Sequence, residues 1–124
     1  MDIELEKRIS KINSFGIFTK NAIADNTEFY RIPLDTIYST PKPRCARIAD
    51  SKYVSDDKVL NWINHSCDPN SRLDIDRNDP VLIAIRNILP NEEITVDYNQ
   101  TEVQGVKVKC TCKFENCKGY FNRL

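Results

Sequence analysis

No apolar run in this chain is longer than the five residues Val81 to Ile85, and that brevity limits its fold more than any other feature. A membrane-spanning helix needs ~20 consecutive apolar residues, so none can be built here. The apolar side chains instead fall in short groups rich in β-branched and aromatic residues, separated by Pro, Asn and Asp. That pattern predicts a mainly β domain. Strands are expected over Phe15–Thr19, Thr27–Ile32, Val81–Ile88, Glu93–Asp97 and Val106–Cys110. A turn at Leu89–Glu92, centred on Pro90 and Asn91, is expected to join the third and fourth of these into a hairpin. One short helix is predicted over Asp56–Ile63, with Ser55 or Asp56 as N-cap and Val59, Leu60 and Ile63 as its apolar stripe. Ser39 to Lys52, with Pro41 and Pro43, reads as irregular.

At 124 residues the chain can bury roughly two-thirds of its unfolded surface, enough for one core and no more. Its first ten residues, MDIELEKRIS, contain no hydrophobic segment of a secretory signal, which predicts an intracellular, reducing setting: cytoplasm, or nucleus in a eukaryotic cell. Eighteen basic and eighteen acidic side chains cancel, which argues against bulk attraction to nucleic acid or membrane. The charges are unevenly placed. Residues 1–49 carry eight bases and six acids, residues 50–100 five and ten, and residues 101–124 five and two. The acidic middle suits a basic peptide or a lysine side chain. With only Gly16, Gly105 and Gly119, the chain lacks the glycine-rich turns that cradle phosphates, which excludes P-loop and dinucleotide sites.

Five cysteines in a reduced protein are more naturally metal ligands or buried thiols than disulfides. Cys110, Cys112 and Cys117 form a CxCx4C cluster that would supply three thiolates to a tetrahedral zinc. The fourth ligand must come from elsewhere, with Cys45, Cys67 and His65 as candidates. A second concentration of chemistry is Asn64-His65-Ser66-Cys67-Asp68-Pro69-Asn70. Such a polar run is either a solvated Asx-rich loop or a set of groups satisfied by one another or by a ligand. A Cys67–His65 nucleophile pair is a further reading, although catalytic Cys and His usually meet across a fold rather than within a tripeptide.

Four motifs in order make the chain resemble the SET-domain protein lysine methyltransferases that carry a zinc-binding post-SET segment. NHSCDPN at Asn64–Asn70 matches the family's NHSCxPN signature. Glu93-Ile94-Thr95-Val96-Asp97-Tyr98 matches its ELTxDY motif, with Ile for Leu. Cys110, Cys112 and Cys117 followed by Lys118-Gly119-Tyr120 match the post-SET pattern, and Ser14-Phe15-Gly16-Ile17-Phe18 sits where the family has its GxG cofactor loop.

The resemblance implies a β-clip fold over residues 1–104, in which the segment bearing Tyr98 threads beneath the Asn64–Asn70 loop as a pseudoknot, followed by a post-SET zinc segment over 105–124. It implies S-adenosylmethionine as cofactor, held by Phe15, Gly16, Ile17, Asn64, His65 and Tyr98, and a protein lysine as substrate, such as one in a basic chromatin-like tail. It selects Cys67 to complete the zinc site with Cys110, Cys112 and Cys117, leaving Cys45 as a free thiol. Tyr98 becomes the catalytic residue, its hydroxyl orienting a lysine amine made neutral by an apolar channel and a neighbouring sulfonium. Asp97, turned away from Tyr98 by strand alternation, becomes a structural hydrogen-bond acceptor. The sequence departs from the family at Ser14, where a glycine is usual; at Val96, where an aromatic residue helps set the number of methyl groups; and in the 45 residues from Phe18 to Trp62, which are fewer than usual. The competing reading is a zinc-stabilised SET fold that binds a partner without turnover.

Overall fold

The computed structural model describes residues 3–12, 14–40, 42, 45–98, 106–109 and 120–123. Its strands are β1 (Leu5–Ile9), β2 (Phe15–Thr19), β3 (Glu28–Arg31), β4 (Ile37–Tyr38), β5 (Ala46–Ala49) and β6 (Lys52–Val54). After a 3-10 turn, η1 (Leu60–Trp62), come β7 (Asn64–His65), β8 (Ser71–Asp74), β9 (Val81–Ala84), β10 (Glu93–Val96), β11 (Val106–Lys109) and β12 (Tyr120–Arg123). They form small sheets ordered β1-β2-β10-β7, β3-β9-β8, β4-β6-β5 and β11-β12. The core draws on several sheets at once: Ile17, Ile94 and Val96 from the first, Leu82 and Ala84 from β9, Ile48 and Val54 from the third, with Leu60 and Ile63 around η1. Among the described residues, no helix is long and apolar enough to cross a membrane.

The expected strands form: β2 with the expected limits, β3, β9 and β10 with shorter ones, and β11 over Val106–Lys109, with Cys110 outside the described residues. β9 is buried at all four positions, as a strand flanked on both edges and covered on both faces should be. Leu89–Glu92 does turn, with Asn91 at φ 68° and Glu92 N–H donating to Leu89 O at 3.2 Å. The expected hairpin across it does not form. Both edges of β9 are taken by β3 and β8, and β10 pairs with β2 and β7 instead. The true neighbour of β9 in sequence is β8, joined in antiparallel register from Ser71↔Ala84 to Asp74↔Val81.

Two further expectations are corrected. The helix over Asp56–Ile63 is reduced to η1, because side chains take the groups an α-helix would use. Asp56 accepts from Leu60 N–H at 3.0 Å and Lys58 N–H at 3.3 Å, and Asn61 Oδ1 accepts from Asp56 N–H at 3.1 Å. Ser39–Lys52 is not wholly irregular either. It contains β5, whose burial alternates along Ala46–Ala49, and the first residue of β6, reached through Ser51 at φ 56°.

Candidate functional site

Asn64 stands at the junction of three elements. It opens β7, which runs parallel to β10 with Thr95 opposite Asn64 and Val96 opposite His65. Its amide Nδ2 lies within donor reach of Phe15 O at 2.9 Å, Glu93 Oε2 at 2.9 Å and Ser10 Oγ at 3.2 Å. Ser10 in turn donates to Glu93 Oε1 at 2.7 Å. Gly16 is what admits this arrangement: a Cβ there would lie 2.2 Å from Glu93 Oε2 and 3.2 Å from Asn64 Nδ2. A side chain at this position would therefore displace the Glu93 carboxylate from its place beside Asn64. Two residues earlier, Ser14 takes φ 34°, within the left-handed region that favours glycine.

His65 and Tyr98 are joined across the same seam. Tyr98 N–H donates to His65 Nδ1 at 3.0 Å, so the hydrogen-bond network assigns the ring proton to Nε2, which lies 3.5 Å from Cys67 Sγ. The Tyr98 hydroxyl donates to the carbonyl of Ile63, and its ring sits 5.6 Å from that of His65. Asp97 is buried, with Oδ1 3.6 Å from His65 Nδ1.

Asn70 fastens the crossing. Its Oδ1 accepts from Thr95 N–H at 3.0 Å and Ser71 Oγ at 2.9 Å, while its Nδ2 donates to Glu93 O at 2.7 Å and Glu92 Oε2 at 2.9 Å. Ser66 N–H adds a bond to Val96 O at 2.9 Å. The polar run is thus an internally satisfied clamp in which His65, Ser66, Cys67 and Asn70 are buried, not a solvated loop.

The structure brings together Phe15, Gly16, Ile17, Asn64, His65 and Tyr98. Cys67 is buried three residues after Asn64, and Cys45 is buried just ahead of β5. Cys110, Cys112 and Cys117 lie outside the described residues, as does the 104/105 domain boundary. Sequence reading missed Ser10 and Glu93 as partners of Asn64. Ser10 is marked only as a polar residue at a strand limit and Glu93 only as the first residue of its motif, and neither signal hints at a partner 54 or 29 residues away. It also missed a ring pair beside this junction: Phe15 and Trp62 meet edge to face, centroids 6.2 Å apart. An open apolar cleft of about 1050 Å³, lined by Ile3, Ile23, Phe29, Ile88 and Leu89 among others, shares no lining residue with this cluster.

The model of the SET domain family matches residues 14–99. Human histone-lysine N-methyltransferase SETD1B is 33% identical over 97 residues, which cover 75% of this chain and 4% of that protein. The H3 lysine-4 specific histone-lysine N-methyltransferase of Schizosaccharomyces pombe is 31% identical over 127 residues, covering 95% of this chain and 13% of that protein. The chain therefore spans a small part of the length of these relatives. Among solved structures, the methyltransferase domain of human SETMAR superposes with a TM-score of 0.70 at 17% identity, covering 99% of this chain and 59% of that one.

Proposed function

The chain belongs to the SET domain family, and from that premise we propose that it is a protein-lysine N-methyltransferase using S-adenosylmethionine. The observation that carries this reading is the convergence on one seam of Asn64, His65 and Tyr98, which a partner-binding module has no reason to keep together. The cofactor, when bound, supplies an electrophilic methyl on a sulfonium. Asn64, held against Phe15 O, and the backbone from Phe15 to Ile17 bind it, with His65 fixing the segment that bears Tyr98. The lysine amine must be neutral to use its lone pair, and its ordinary pKa of ~10.4 has to fall on entry to an apolar site beside a cation. Tyr98 then orients the nitrogen lone pair toward the methyl. With the cofactor bound, transfer would form the N–C bond as the S–C bond broke with its electron pair left on sulfur, and the methylated ammonium would give up its proton to solvent. No covalent nucleophile is required, so Cys67 has no part in the chemistry.

The substrate in this reading is a lysine in a basic protein segment, met inside the cell. Exposed Asp57, Asp68, Asp76 and Asp79 belong to the acidic middle of the chain and favour such a partner. The test is transfer of labelled methyl to a panel of basic lysine peptides. Wild type should transfer, and Tyr98→Phe, which loses only the hydroxyl, should transfer at least about a hundredfold more slowly with cofactor affinity retained. Peptide binding without transfer by wild type would instead make the chain a binding module, and undiminished transfer by Tyr98→Phe would remove that residue from the chemistry.

A further inference from the structure

Lys7 lies in β1 opposite Ile17 and carries its ammonium over two rings at once, 3.7 Å from the Trp62 ring centroid and 4.7 Å from that of Phe15. Cation–π attraction from two faces holds in place a long side chain that would otherwise sample many rotamers. Among the described residues no carboxylate pairs with it, whereas Arg8 in the same strand pairs with Glu6 and nearby Lys20 pairs with Glu4. Its place is specific. The Phe15 carbonyl accepts from Asn64, and the next residue, Gly16, carries the Glu93 carboxylate against its α-carbon. Adjacent residues of one strand thus have a cation on one and an anion on the other, the reverse of the ammonium and carboxylate of an amino-acid zwitterion.

We propose that Lys7 is a cofactor-binding residue whose ammonium, steadied by Trp62 and Phe15, pairs with the carboxylate of the cofactor's amino-acid end. This rests on the methyltransferase reading above. An exposed ion pair of this kind contributes modestly, and a pre-positioned ammonium making a charge-assisted hydrogen bond contributes more. Replacing it should therefore be felt as about a five- to tenfold change in affinity.

The probes are S-adenosylhomocysteine, which carries the zwitterion, and S-adenosyl-3-thiopropylamine, which lacks only the carboxylate, each titrated by calorimetry. Lys7→Met keeps an apolar stem on the rings. It should weaken S-adenosylhomocysteine about five- to tenfold, leave the thiopropylamine unchanged, and be rescued by Lys7→Arg. Equal weakening of both ligands would make Lys7 a structural residue and overturn the assignment. So would unchanged binding, and so would tighter binding, which would mean that the ammonium obstructs the site. Failure of wild type to bind S-adenosylhomocysteine at millimolar concentration would overturn the methyltransferase reading as well, whereas binding by wild type with an indifferent Lys7→Met variant would overturn this assignment alone.

Discussion

Asn70 shows how one side chain can fix a chain crossing. It is 1% exposed, and both faces of its amide are spent on the segment Glu92–Thr95 and on Ser71. Alanine at this position would orphan the buried Thr95 N–H and the Glu93 carbonyl, each costing about 1–3 kcal/mol when desolvated without a partner. Asn70→Ala should therefore destabilise the fold by at least about 2 kcal/mol in urea titration, and Asn70→Asp, which buries a carboxylate against the Glu92 carboxylate and the Glu93 carbonyl, by at least as much. A loss under about 0.5 kcal/mol for alanine would mean that the crossing is secured elsewhere. At this scale the sequence was legible through motif alone. Asn64, His65, Asn70 and Tyr98 stand out as a pattern, but nothing in the pattern says that Nδ2 of Asn64 faces Phe15 O or that the Glu93 carboxylate sits against Gly16. Those facts depend on which strands become neighbours.

The short turn η1 delivers Ile63 and Asn64 to the site, and it is held less by helical bonds than by Asp56, which is 4% exposed. Tyr30 reaches it from β3, its hydroxyl donating to Asp56 Oδ2 at 2.6 Å. Burial, and then the neighbouring Asp56 carboxylate, push the Tyr30 phenol well above the ordinary tyrosine range. A raised folded pKa favours the protonated form, so this stability is fully present below the unfolded value near ~10 and declines as pH rises beyond it. Tyr30→Phe should cost about 1–3 kcal/mol at pH 7, since Asp56 loses a partner in a dry place. The gap between wild type and variant should narrow above pH ~10, where only wild type has this proton to lose on unfolding. Thermal melts from pH 7 to 11 would read it, and a gap that widened with pH would show the sign to be wrong. The same element explains a limit of sequence reading. Val59, Leu60 and Ile63 have helical spacing, yet Asp56 and Asn61 divert the backbone donors, and spacing alone cannot weigh that competition.

At the scale of the whole molecule, the apolar pattern announced short strands but could not choose their partners. β10 lies between β2 and β7, which are separated in sequence by more than forty residues, and that order buries Ile17, Ile94 and Val96. What then ties residues 105–124 to this body is the remaining physical question, and the cysteine chemistry supplies a proposed answer. Cys67 is 8% exposed, lies two residues beyond β7, and has the proton-bearing Nε2 of His65 3.5 Å from its sulfur. A ring N–H aimed at sulfur suits a thiolate better than a thiol, as outer-shell donors do around metal ligands. Three thiolates from Cys110, Cys112 and Cys117 would complete a closed tetrahedral zinc site. The chain should therefore purify with about one zinc when no chelator is used. Cys67→Ala should lose that zinc, and Cys45→Ala, altering a buried thiol outside the proposed ligand set, should keep it. Because the metal would join the middle of the chain to its end without entering the core around Ile17, Ile63 and Ile94, chelation should raise hydrogen exchange first over residues 105–124 and only later in β2 and β10. Elemental analysis and exchange mass spectrometry read the two halves separately. Metal-free protein, or full zinc retention by Cys67→Ala, would remove Cys67 from the site, and simultaneous loss of protection in core and tail would show that the metal holds the whole fold.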